Sequence, residues 1–205
     1  DQLLELANFD QKRANRQTTF HLTEENLEGL DEVLHEEFGD EEDSEDEESE
    51  EDTLDDDPVR DLNVLDAIRI SEYGNLGVPV DFSLVGPDIE EAILPGMGIV
   101  DLDGVSELTN LRVLDASDNR LVDIDELSNL DKLEEFFCAN NRVADISLLS
   151  CCENLRIVDV SNNQILDVSS LISLPRLEFA NLCGNRIPKS QIQLLRSKGV
   201  EVIEG

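Results

Sequence analysis

The sequence predicts an α/β solenoid in which short parallel strands line a concave side and short helical or 3-10 turns line the convex side. Three observations lead to this fold. An apolar pattern recurs every 22 residues between residues 89 and 198, its inward positions stay in register from copy to copy, and a dense acidic segment precedes the repeats. Because one coil cannot bury its own apolar edge, successive coils must stack on one another.

The N-terminal extension, residues 1–38, is predicted to contain an amphipathic helix at about residues 24–38. Thr23 is a suitable N-cap, and apolar residues follow at spacings of three, four or their sums: Leu27, Leu30, Val33, Leu34 and Phe38. Residues 1–21, which include Lys12, Arg13 and Arg16, give no firm structural signal. Two interpretations of the helix stay open: it docks on the chain or frays in solvent, or it binds a groove on a partner.

The acidic segment accounts for much of the formal net charge of -34. Residues 40–57 contain 14 acidic residues and no basic residue, whereas residues 89–205 contain 20 acidic and 10 basic residues. Like-charge repulsion without apolar burial cannot offset the entropy of ordering, so residues 39–57 are predicted to be a disordered tether. The tether has three possible roles: spacing, binding of a basic protein, and regulation by phosphorylation at Ser44, Ser49 or Thr53, each with an acid three residues later.

Four copies of the repeat share one frame, which opens at Leu111, Leu133, Leu155 and Leu177. The first, fourth and sixth positions of the frame are predicted to point inward from a short strand. The ninth position is an asparagine that turns the chain and can satisfy backbone groups of neighbouring coils: Asn119, Asn141, Asn163 and Asn185. A degenerate fifth copy begins at Ile89.

These frames resemble the L-x-x-L-x-L-x-x-N-x-L pattern of leucine-rich repeat proteins. Their length is similar to the short 22-residue intracellular class, which includes the phosphatase-1 regulatory repeat protein and outer-arm dynein light chain 1. The resemblance covers residues 89–198 and implies a right-handed solenoid of five repeats. Residues 58–88 are then expected to cap the first repeat, while a helix ending at residue 198 and a strand in residues 199–205 close the last one.

The concave side of such a solenoid displays the third, fifth and seventh positions of each frame, which combine apolar side chains with carboxylates. The predicted partner-binding residues are Val113, Asp115, Glu135, Phe137, Ile157, Asp159, Phe179 and Asn181. The apolar members are expected to form an exposed patch that fits a helix or loop with an apolar anchor and a basic flank. Two alternatives to a partner site stay open. The β-branched and aromatic residues can be present because they suit strands in general, or the N-terminal helix can fold back over them.

Other candidate groups on the repeats are arginines and cysteines. Arg112 and Arg156 either pair with an acid of a partner or neutralise a glutamate of the neighbouring coil. Cys138 and Cys152 occupy core columns, Cys151 lies on the convex side, and Cys183 is expected at the concave rim. These four cysteines have no metal-ligand spacing, which favours a reducing, intracellular compartment.

Catalysis, cofactors and metals have no basis in the sequence. Both histidines, His21 and His35, precede the repeats, and no phosphate-binding loop or complete calcium loop occurs. The chain has no basic run for nucleic acid or anionic membranes, no apolar stretch long enough for a span, and no signal peptide pattern in residues 1–15. We therefore expect a non-enzyme that binds neither nucleic acid nor membrane directly.

The leading functional hypothesis is a protein-interaction scaffold that binds one protein partner on its concave side and is monomeric outside that complex. One alternative is an acidic chaperone of basic proteins such as histones, acting through residues 40–57. The other, implied by resemblance alone, is a regulatory subunit of a phosphatase or of an axonemal dynein complex. The expected location is cytoplasmic, with the nucleus or cilium as alternatives.

Overall fold

The structure is a computed structural model that describes residues 61–74, 76–77 and 80–205. In that part of the chain, one parallel sheet contains six strands in chain order. They are β1 Glu91–Ile93, β2 Val113–Asp115, β3 Glu135–Phe137, β4 Ile157–Asp159, β5 Phe179–Asn181 and β6 Glu201–Ile203. The predicted helix at 24–38, the acidic tether at 39–57 and Ser44, Ser49 and Thr53 lie outside the described residues.

The register of the sheet repeats the sequence period. Glu91 pairs with Val113, Val113 with Glu135, Glu135 with Ile157, and Ile157 with Phe179. Each step advances by one repeat, so equivalent frame positions stack into columns with neighbours about 4.8 Å apart. The predicted solenoid with a parallel sheet is confirmed.

The return segments between strands carry short helices on the other side of the core. These are the 3-10 helices Val105–Glu107, Asp125–Asn129 and Ser147–Cys151 and the α-helix Ser169–Ser173. Leu127, Leu149 and Leu171 are buried at equivalent positions of these segments. Each segment therefore packs its apolar side against the core. Short helical or 3-10 turns were predicted there and are confirmed.

The N-terminal end of the solenoid is covered by the α-helix Val64–Tyr73. Asn63 caps it by accepting the Asp66 N–H at 2.8 Å, and Gly74 ends it with a φ of 77°. Val64, Ala67 and Ile68 are buried in the common core. A second short helix, Phe82–Val85, follows before β1 and buries Phe82 and Val85 in the same core.

The C-terminal end is covered by the α-helix Lys189–Ser197 and by β6, which pairs with β5. Ile192 and Leu195 bury the inner side of this helix, and Val200 and Val202 complete the core beyond it. Polar covers of this kind keep the apolar edge of the last repeat out of water. None of the helices in the described part of the chain has the length and apolar content of a transmembrane span.

Candidate binding face of the parallel sheet

The two sides of the sheet carry different residues because successive side chains of a strand alternate. The central residue of each strand belongs to the apolar core, as with Leu114, Phe136 and Val158. The residues before and after it point to the opposite side. We call this side, formed by the third, fifth and seventh frame positions, the concave face.

The third and fifth columns of the concave face follow from the pairing register. The third column reads Glu91, Val113, Glu135, Ile157, Phe179 and Glu201, and the fifth reads Ile93, Asp115, Phe137, Asp159, Asn181 and Ile203. Ile157 and Phe179 are direct neighbours, and Phe137 lies diagonally from Ile157, within reach of its side chain. The structure therefore brings Phe137, Ile157 and Phe179 together on β3, β4 and β5, whereas the fourth predicted apolar residue, Val113, lies on β2 beyond Glu135.

Burial on this face differs from the sequence prediction. Val113 is only 6% exposed and Phe137 only 2%, whereas Ile157 and Phe179 are half-buried. Neither Val113 nor Phe137 belongs to the apolar core cluster. The expectation of an exposed apolar patch is wrong for these two residues: they are buried, and they are buried on the side of the sheet that faces away from the core.

Two aspartates are also buried on the concave face. Asp115 is 1% exposed and Asp159 is 2% exposed. Asp115 accepts the Ser117 N–H at 3.0 Å, and Asp159 accepts both the N–H and the hydroxyl of Ser161, at 3.0 and 2.7 Å. Asn181 donates to the other oxygen of Asp159 at 3.1 Å. A buried carboxylate requires such bonds, which hold both carboxylates in fixed positions on the face.

Arginine–glutamate pairs border the face at the amino ends of the strands. The Arg112 guanidinium donates to Glu134 at 2.8 and 3.0 Å, and Arg156 makes two bonds of 2.9 Å to Glu178. The hydrogen bond and charge of Arg156 lower the pKa of the Glu178 carboxyl, and the paired glutamates raise the pKa of both arginines. Both arginines therefore pair within the chain, one coil to the next, which settles the choice that the sequence left open.

The asparagines at the ninth position connect neighbouring coils. The amide of Asn141 donates to the carbonyls of Ala116, Cys138 and Ala139, and its Oδ1 accepts the Leu121 N–H. Equivalent bonds exist for Asn119, Asn163 and Asn185. Each side chain thus satisfies buried backbone groups on two coils, which fixes the turn at the carboxyl end of the strand.

A second ladder, at the eighth frame position, was missed by the sequence analysis. Asp118, Asn140 and Asn162 have φ values of 60°, 57° and 53°. Asn140 donates to Asp118 at 2.7 Å, and Asn162 donates to Asn140 at 2.8 Å. At the same position in the next repeat is Gly184, where an added Cβ would lie 2.2 Å from the Asn162 Oδ1. The signal was present, since Asn, Asp and Gly are the residues that tolerate positive φ.

The cysteines lie on different sides of the solenoid and do not form a reactive site. Cys138 and Cys152 are buried, Cys151 is exposed and Cys183 is half-buried. Burial raises the pKa of the Cys152 thiol to about 11 and raises the pKa of the Cys138 and Cys183 thiols as well. A raised pKa lowers the fraction of reactive thiolate at each of these three cysteines.

Comparison with known proteins supports the assignment of the fold. Residues 109–151 and 131–173 match the family model described as leucine-rich repeats in two copies. An internalin from Listeria monocytogenes strain 4b F2365 is 24% identical with a TM-score of 0.57, and the match covers 68% of this chain and 41% of that chain. No curated protein matches the sequence.

Two further solved structures have a lower TM-score of 0.47. The Drosophila melanogaster SNF/U2A' complex contributes a chain that is 23% identical, with 56% of this chain and 71% of that chain covered. A leucine-rich repeat protein of Leptospira interrogans is 18% identical, with coverages of 63% and 42%. The family model covers residues 109–173, and the repeats in this range are leucine-rich repeats, which generally provide surfaces for protein interaction.

Proposed function

We propose that this leucine-rich repeat protein is a non-enzymatic interaction scaffold whose concave face binds a polypeptide segment with apolar and basic side chains. One observation carries the proposal: Phe137 and Val113 are buried although both lie outside the core cluster. Side chains that point away from the core of a single sheet are flanked laterally by their column neighbours. Deep burial also requires polypeptide above them, as at the centre of a protein interface.

The chemistry of the face supports a partner with both kinds of side chain. Ile157 and Phe179, which are half-buried, offer an apolar area of the type that anchors an interface. Asp115, Glu135 and Asp159 place carboxylates among them, in the columns on either side of the strand centres. Carboxylates next to an apolar area favour a segment with Lys or Arg and repel an acidic one, so they determine which segments bind.

The proposal is tested by purifying partners from native extract with the full chain as bait. Ile157→Glu with Phe179→Ser changes two half-buried residues of the concave face. Val122→Glu with Leu166→Ser makes comparable changes at residues that are 59% and 60% exposed, outside the strands. A partner of the concave face is expected to be lost with the first variant and retained with the second.

A partner that both variants retain equally, with the fold intact by circular dichroism, contradicts the proposal. So does a partner whose binding disappears only when residues 40–57 are deleted, which is the result expected of an acidic chaperone. That activity depends strongly on salt, because it relies on exposed charge.

A further inference from the structure

We propose that residues 1–20 of the same chain bind the concave face and compete with a foreign partner. This inference rests on the proposed function, because it names an occupant and a mode of regulation for the same face. It starts from the burial of Phe137 and Val113 outside the core cluster and from the carboxylates beside them.

The segment must bring basic side chains to the carboxylates of the face. Between residues 1 and 57 the sequence contains three Lys or Arg residues, and all three lie close together, at Lys12, Arg13 and Arg16. The face has carboxylates at Asp115, Glu135 and Asp159 on three neighbouring strands, and further ones at Glu91 and Glu201 on the two outer strands. Opposite charges at these positions favour association and fix its orientation.

The same segment supplies apolar anchors with a regular spacing. Leu6, Phe9, Arg13, Arg16 and Phe20 follow one another at intervals of three, four, three and four residues. This spacing places all five on one side of a helix, with apolar residues at both ends and arginines between them. The concave face has the complementary composition, with apolar residues and carboxylates in adjacent columns.

The amphipathic segment at residues 24–38 does not match the face. It has an apolar stripe, but it contains seven acidic residues and no Lys or Arg: Glu24, Glu25, Glu28, Asp31, Glu32, Glu36 and Glu37. Against a face with buried carboxylates, these charges are repulsive. Charge therefore distinguishes residues 1–20 from the other apolar segment of the extension.

The connecting chain is long enough for this contact. Residues 21–60 separate the segment from the first described residue, Asp61. An uncharged flexible chain of that length has a root-mean-square end-to-end distance of about 35 Å, and the charge of residues 40–57 extends it further, while six strands span about 24 Å across the sheet. A tether of this kind gives a millimolar effective concentration, at which a weak intramolecular contact is largely formed.

The occupant has a consequence for regulation of the face. A foreign partner must displace residues 1–20. Its apparent association constant is therefore the intrinsic constant multiplied by the fraction of chains in which the face is open. A partner with a similar apolar and basic segment, but with more contacts, binds in its place.

The test uses the full chain with the photoreactive residue p-benzoylphenylalanine at position 9. Irradiation followed by digestion and mass spectrometry is expected to join residue 9 to peptides that contain β2, β3, β4 or β5. Irradiating a mixture of ¹⁵N-labelled and unlabelled protein identifies crosslinks within one chain. Arg13→Glu with Arg16→Glu is expected to lower the yield about tenfold, because both contacts become repulsive.

The matched control is Arg142→Glu with Arg186→Glu, which makes the same change in net charge at two exposed residues of the repeats. The yield is expected to stay within about twofold of the parent, since these residues lie outside the strands. Absence of crosslinks to the concave face, or a yield that both double variants lower equally, overturns the inference. A foreign partner that still depends on Ile157 and Phe179 would then leave the proposed function standing.

Discussion

Phe136 and Phe137 are neighbours in β3, and both are buried, but on opposite sides of the sheet. Phe136 belongs to the core cluster formed by the repeats and their caps, whereas Phe137 does not. We propose that this similar burial has two different causes. One side chain is buried by the solenoid itself, and the other lies on a face where we propose that a separate segment binds.

The largest expected effect is a difference in the free energy of unfolding between alanine variants of the two phenylalanines. Phe136→Ala leaves a cavity in the core and is expected to lower the free energy of unfolding by about 3–5 kcal/mol. Phe137→Ala should cost less than half of that, because we propose that a separable segment, and not the solenoid core, covers this side chain. Urea denaturation of both variants measures the difference. Equal losses would mean that Phe137 is a core residue and that the comparison fails.

The asparagine ladder offers a similar pair of neighbours on the turn. Asn141→Ala removes four hydrogen bonds to buried backbone groups and is expected to cost about 3 kcal/mol. Asn140→Ala removes exposed bonds and places alanine at a φ of 57°, for a cost of about 1 kcal/mol. Thermal unfolding measures both. If the exposed residue proves the more costly one, the ninth-position asparagine does not hold the coils together.

The alkylation rates of the cysteines measure how well each part of the solenoid is protected from solvent. In a pulse of iodoacetamide on the folded protein, Cys151 is expected to react first because it is exposed. Cys138 and Cys152 should react at least about 100-fold more slowly, since burial protects them and raises their thiol pKa values. Cys183, half-buried on the concave face, should be intermediate. Rapid alkylation of Cys138 in folded protein would contradict the described core.

The smallest expected effect concerns the Arg156–Glu178 pair at the border of the face. The folded-state pKa of Glu178 is lowered, so the pair stabilises the fold above the unfolded pKa of the carboxyl and loses that contribution as pH falls through the folded pKa. Arg156→Gln should return this pKa toward its ordinary value, as measured by NMR titration. An unchanged pKa would show that the pair is absent in solution. Stability should change little, because the pair is exposed.

The repeat architecture could be predicted from sequence because the 22-residue period fixes the strand register. When Leu114 pairs with Phe136, every equivalent residue of the two repeats is in register as well. The residues on each side of the sheet are then determined by the alternation of side chains along the strand. The concave columns were placed correctly for the same reason. The predicted boundaries of the extension, caps and repeats remain predictions.

Burial on the concave face could not be predicted in the same way. The period says which way Val113 and Phe137 point, but it carries no information about what lies over them. The eighth-position ladder was recognisable in principle, because Asp118, Asn140, Asn162 and Gly184 all tolerate positive φ. The return helix Ser169–Ser173 contacts the C-terminal helix, a neighbour that its own repeat does not encode.

The most direct test of the central claim is a titration of the 205-residue chain carrying Arg13→Glu and Arg16→Glu with a synthetic peptide of residues 1–20. Saturable binding is predicted, and Glu135→Lys in the protein should weaken it about tenfold by reversing a charge on the concave face. Glu153→Lys, the same change at an exposed residue after the 3-10 helix Ser147–Cys151, should leave the affinity within about twofold. Absence of saturable binding, or equal weakening by both substitutions, would contradict the claim that the concave face binds a segment of this chemistry.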